Sequence, residues 1–204
     1  LAVIVLPFTY LGATLTNYVA VRLKKLRLQR AFQQYLSPEM AREIAQNPDA
    51  LRLGGEEVEC TAMFTDIAGF TTIVEKMKPG EVSRMLNAYF TEVMDAVFDQ
   101  RGTMIQFIGD GVYALWGAPI KTAEHACLCA RAALEVQAAI ERFNQSGRFP
   151  QLHTRFGINT GPVLVGNLGS VRRFDFTGIG DTVNLASRLE GLNKQFGTTI
   201  LMTD

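Results

Sequence analysis

Between Val82 and Phe98 apolar side chains recur at Val82, Met85, Leu86, Tyr89, Phe90, Val93, Met94, Val97 and Phe98. This unbroken i, i+3, i+4 rhythm fits a helix with one apolar face. Such a face must be buried against another layer. From Glu57 the pattern is strict alternation instead, with Val58, Cys60, Ala62 and Phe64 on one side of a strand that ends at Thr65-Asp66. Residues 104–108 and 112–116 are short β-prone runs joined through Gly109-Asp110-Gly111, whose glycines are expected to supply the positive backbone angles of a tight hairpin. An alanine-rich helix is predicted over 122–144, strands at 152–159 and 163–167, and a last helix from a cap at Asp181 to about Phe196. With a helix start at Thr71, the order β, α, α, β, β, α, β, β, α predicts an α+β fold: an antiparallel or mixed sheet with helices packed on one side.

Three segments are expected. Residues 1–21 carry no charge, and as a helix they would extend about 31 Å, close to the hydrocarbon thickness of a bilayer. A membrane span over 1–22 is predicted, with a buried soluble helix as the alternative because Pro7 and Asn17 dilute the run. Arg22, Lys24, Lys25, Arg27 and Arg30 follow it, which the positive-inside bias keeps cytoplasmic. Residues 23–55 read as a helical connector, with Ser37-Pro38 as a helix start and Asn47-Pro48 as a stop. Residues 56–204 form the remaining domain. The chain opens on Leu1 inside the apolar run, so it is expected to be a piece of a longer protein.

Composition then narrows the class. With 48% hydrophobic and 20% charged residues the chain is neither disordered nor collagenous. Its 20 basic and 20 acidic side chains cancel, leaving no global field to attract nucleic acid. Cys60, Cys127 and Cys129 lack zinc or redox spacing and are expected to be reduced thiols.

Two aspartates stand beside glycines at the tips of β elements: Asp66 in the run 64–71, and Asp110 in Gly109-Asp110-Gly111. Acidic oxygens converging at strand tips suit a hard divalent cation, whereas each alone also reads as a turn or cap residue. Past Asp66 the chain turns through Ala68-Gly69 toward a helix starting at Thr71, so the backbone N–H groups of Ala68, Gly69, Phe70 and Thr71 are candidates for phosphate oxygens.

The segment FTDIAGFT at 64–71, the hairpin FIGDGVYALWGAP at 107–119 and the run GDTVNLASRLE at 180–190 together resemble the catalytic domain of class III nucleotidyl cyclases, in the family's order. FQQYLSPEM at 32–40 resembles the segment preceding that domain in bacterial membrane-bound members. The resemblance implies the ferredoxin-like palm of that family. It implies Asp66, Asp110 and the Ile67 carbonyl as ligands of two Mg2+ or Mn2+ ions, and Asn184 and Arg188 as the residues that orient the ribose and stabilise the transferring phosphoryl group. It further implies a head-to-tail homodimer in which Asp66 and Asp110 come from one chain and Asn184 and Arg188 from its partner.

The positions that read the base in the family are Gln106 and Thr177 here. Threonine fits bacterial adenylyl cyclases, but glutamine matches neither the adenylyl nor the guanylyl pattern, and its amide can serve adenine or guanine by flipping. The family's triphosphate-binding lysine has no counterpart in this sequence. The expected activity is conversion of ATP to 3′,5′-cyclic AMP and pyrophosphate at the cytoplasmic side of the cell membrane. The alternatives are a guanylate cyclase and a catalytically weak nucleotide-binding sensor module.

Overall fold

The computed structural model describes residues 53–203 together with Arg22. The chain divides into two units, Leu1–Arg42 and Glu43–Asp204, and every described residue except Arg22 belongs to the second. The expected membrane segment and most of the connector lie outside the described residues. Among the described residues, no helix is long and apolar enough to cross a membrane.

The elements run β1 (Gly54–Ile67), α1 (Phe70–Val74), α2 (Pro79–Asp99), β2 (Thr103–Ile108), β3 (Gly111–Trp116), α3 (His125–Gln145), β4 (Thr154–Ser170), β5 (Arg173–Ile179), α4 (Asp181–Phe196) and β6 (Ile200–Met202). Five strands form the path β2-β3-β1-β4-β5, and β6 joins β4. All pairings are antiparallel except β4 with β6, so the sheet is mixed.

Strand parity sorts the core. Met63 and Ile67 of β1, Val112, Ala114 and Trp116 of β3, and Phe156 and Ile158 of β4 meet the stripe Met85, Tyr89, Val93, Val97 of α2 and Leu128, Ala132, Val136 of α3. The intervening residues Cys60, Ala62, Tyr113, Leu115, Val163 and Val165 meet Val183 and Ala186 of α4. Helices therefore cover both faces, not one as expected. The strands of such a sheet need apolar residues at both parities, and β3 is buried throughout.

Two further expectations are corrected. The strands predicted at 152–159 and 163–167 are one 17-residue strand, β4, which runs straight through Gly161-Pro162. Opposite Gly161 and Pro162 stand Cys60 and Glu59 of β1, whose length keeps the ladder continuous. Strand β5 was not anticipated; it returns from Ser170 opposite Arg173 and pairs back to Leu164 opposite Ile179.

The sheet curls enough to bring non-neighbours together. The Tyr113 hydroxyl of β3 donates to the Gly178 carbonyl of β5 at 2.8 Å, although β1 and β4 lie between these strands in the hydrogen-bonded order. Tyr113 also stacks on Phe64, with ring centroids 4.5 Å apart. Helix α4 is seated by two buried asparagines. Asn159 donates to Thr182 O at 2.9 Å, and Asn193 donates to Phe156 O at 2.8 Å.

Candidate active site

Asp66 is the penultimate residue of β1, directly opposite Arg155 of β4. After Ile67 the chain reverses at Gly69, which takes a left-handed conformation (φ 69°) and caps α1. Ile67 is a pivot: its side chain is buried in the core, and its N–H donates to Asp110 Oδ2 at 3.1 Å. The hairpin holding Asp110 is fixed from the same strand. The Thr65 hydroxyl accepts from the Val112 N–H at 3.0 Å, and a Cβ on Gly111 would stand 2.0 Å from the Thr65 carbonyl oxygen. Of the two turn glycines, Gly109 has the positive angle expected (φ 62°), whereas Gly111 is required by close approach.

Asp66 and Asp110 are thus brought together, with the Ile67 backbone between them. Burial, and then the neighbouring Asp66 charge, hold the Asp110 carboxyl above its ordinary range, with the Ile67 N–H pulling the other way. Two crowded carboxylates beside a backbone carbonyl are a donor set for a hard divalent cation that draws its other ligands from water or phosphate. On that ground the residues fit the metal expected from the sequence. Among the described residues no group of three or more His, Cys, Asp or Glu side chains is arranged for a metal. On the opposite face of the sheet Tyr89 lies 3.2 Å from the Thr154 hydroxyl, and burial pushes its phenol up to about 12.

Arg155 and Glu190 were missed in the sequence. Arg155 Nη2 donates to Asp66 Oδ2, and Arg155 Nε lies 3.1 Å from Glu190 Oε1 of α4. The second separation is of hydrogen-bond length, but its geometry is not that of a hydrogen bond, and both atoms are buried without a hydrogen-bond partner. The contact is an ion pair only. Burial, then Asp66, raises the Glu190 carboxyl against the opposing effect of Arg155. The available sequence signal was a charged residue between Thr154 and Phe156 in a strand covered on both faces; such a charge must find a partner.

The other expected residues make no described contact with the acidic pair. Asn184 and Arg188 project from exposed positions of α4, and Arg188 Nε donates to the Asn184 carbonyl at 3.3 Å. Among the described residues no hydrogen bond or ion pair joins either of them to Asp66, Asp110, Arg155 or Glu190. Gln106 is exposed on β2 opposite Tyr113, and Thr177 is half-buried on β5 opposite Gly166. In the segment considered for phosphate, the Ala68 amide already donates to His153 O at 2.8 Å, so the amides of Gly69, Phe70 and Thr71 remain as candidates there.

Comparison with known proteins places this geometry in context. Residues 55–203 match the family model described as the adenylate and guanylate cyclase catalytic domain. Adenylate cyclase 1 of Rhizobium meliloti (strain 1021) is 50% identical over 149 residues, covering 70% of this chain and 22% of that protein. The structure of a bacterial light-regulated adenylyl cyclase aligns with a TM-score of 0.80 at 28% identity, over 90% of this chain and 54% of that one. The crystal structure of the guanylyl cyclase Cya2 aligns with a TM-score of 0.65 at 36% identity, over 68% and 72%. The chain spans less than a third of the length of the curated relatives it matches.

Proposed function

Because the chain belongs to the family of adenylate and guanylate cyclase catalytic domains, we propose that it converts ATP to 3′,5′-cyclic AMP and pyrophosphate, as a phosphorus–oxygen lyase. The observation that carries this reading is the convergence of Asp66, Asp110 and the Ile67 backbone at the ends of β1 and the β2–β3 hairpin. The ribose 3′-oxygen attacks the α-phosphorus, its proton is lost to solvent, and the bond to the bridging oxygen of the departing pyrophosphate breaks. Asp66, Asp110 and the Ile67 carbonyl would hold two Mg2+ or Mn2+ ions. When bound, these would lower the pKa of the 3′-hydroxyl and neutralise the triphosphate.

Asn184 and Arg188 supply the ribose contact and the positive charge on the transferring phosphoryl group. Their exposure on α4, with no described hydrogen bond or ion pair to the acidic pair, supports a shared site in which a second copy of the chain presents them. The working form is then a homodimer with two equivalent sites. Gln106 and Thr177 read the base across that interface. The uncharged, then basic, sequence of residues 1–30 supports attachment to the cell membrane with the catalytic domain on the cytoplasmic side.

A guanylate cyclase is the second reading, favoured by Gln106, whose amide can present a donor or an acceptor. Incubating the full chain with Mn2+ and either ATP or GTP, and resolving the products, tests the reading. Cyclic AMP is the expected main product. Cyclic GMP from GTP, with none from ATP, moves the assignment to the second reading, and nucleotide binding without turnover overturns both.

A further inference from the structure

We propose that Glu190 is a positioning residue for the metal site, sharing the Arg155 guanidinium with Asp66 and drawing it aside when a divalent cation claims that carboxylate. The proposal rests on the reading of Asp66 and Asp110 as cation ligands.

Three charged side chains meet between β1, β4 and α4. Arg155 and Glu190 are enclosed, with side-chain exposures of 18% and 16%, while Asp66 is more open at 32%. An enclosed guanidinium needs a carboxylate partner at all times, because leaving it unpaired out of water is costly. A cation binding at Asp66 would take that partner away and add a like charge beside Arg155. Glu190 is the second carboxylate within reach.

Its anchorage is firm. A Cβ on Gly157 would stand 2.2 Å from the Glu190 backbone nitrogen, so α4 rests directly on β4 here, and Asn193 donates to the Glu190 carbonyl at 3.0 Å. In the described arrangement the guanidinium leans on Asp66, and Arg155 Nε and Glu190 Oε1 face each other at 3.1 Å as a buried ion pair without a hydrogen bond. Buried polar groups are seldom left unpaired. A small rotation of the guanidinium away from Asp66 would turn this ion pair into a hydrogen bond and free Asp66 for a cation. Facing the guanidinium are Asp66 from β1, Glu190 from α4 and, beyond Asp66, Asp110 from the hairpin, so there are two places for it to go and Glu190 is the one that is not a ligand.

The test is a double-mutant cycle on Mn2+ binding, read from the electron paramagnetic resonance signal of free Mn2+ on the full chain without nucleotide, with melting curves to establish that each variant is folded. Glu190→Gln is expected to weaken Mn2+ binding roughly tenfold, and less than about twofold when introduced beside Arg155→Met, because Glu190 acts through Arg155. An equal loss in both backgrounds would mean that Glu190 attracts the ion directly and would overturn the proposal, as would folded Glu190→Gln with unchanged affinity. If Asp66→Asn binds Mn2+ as tightly as the natural chain, the reading of the acidic pair itself fails, and the proposal fails with it.

Discussion

Asp110 carries a carboxyl whose charged form is disfavoured by burial and by Asp66, so the folded chain holds its proton to higher pH than an unfolded chain does. For such a group the stability without metal falls as pH rises from the ordinary carboxylate range through the raised value, since the native state then binds more protons than the unfolded one. A divalent cation reverses this by neutralising both acids. The rise in melting temperature caused by Mn2+ is therefore expected to grow with pH across that window and to flatten in Asp110→Asn; equal rises at all pH values would contradict it. At Gln106 the prediction concerns choice rather than stability. Gln106→Lys replaces an amide that serves either base with a cationic donor, which suits adenine N1, an acceptor, and not guanine N1–H, a donor. A preference for ATP over GTP increased about tenfold is expected from one added charge-assisted hydrogen bond, measured as the ratio of kcat/KM values. Glu190 and Arg155 were illegible at this scale, because the partner of a lone strand arginine depends on register, and the register depends on the whole sheet.

Helices with a strong apolar rhythm were legible nearly to their ends: α2 covers Pro79–Asp99 around the stripe from Val82 to Phe98, and α3 covers His125–Gln145 against an expected 122–144. Strands were harder, because Gly161-Pro162 looks like a terminator locally and becomes one more rung only when β1 is alongside. In β5, Arg173 and Asp175 interrupt the apolar pattern around Phe174 and Phe176, so alternation was masked by charge. The β2–β3 hairpin was legible as a hairpin, but the reason for its second glycine was not. Gly111→Ala drives a methyl into the Thr65 carbonyl. It is expected to destabilise the domain by about 2 kcal/mol and to abolish turnover by displacing Asp110, measured by denaturant unfolding and product assay. Tyr113→Phe keeps the stacking on Phe64 but leaves the Gly178 carbonyl without its donor. A loss of about 1–3 kcal/mol is expected, and because Gly178 adjoins Thr177 the KM for nucleotide should rise more than kcat falls.

Across the whole molecule, the two pairs of expected catalytic residues sit on different parts of one chain, and the proposed dimer is what closes the site. Asp66→Ala and Arg188→Ala are each expected to lose activity when expressed singly, yet to recover about a quarter to a half of it when co-expressed, since a mixed dimer contains one intact site. Absence of recovery from two folded variants would place all four residues in a single chain. The class of fold was legible from the order of elements, but the second helical layer was not, because α4 has too little apolar surface to announce which side it covers. Strand β4 links these regions: Arg155 stands near its start, and Leu164 to Ser170 carry β5 at its far end. Its period-two geometry makes it intolerant of odd changes in length. Deleting one residue between Gly157 and Val163 would turn Val163 and Val165 toward the wrong helices. Natural variation in this strand should therefore proceed by substitution, while gains and losses of residues collect at the hairpin tip, where Val171 is 89% exposed.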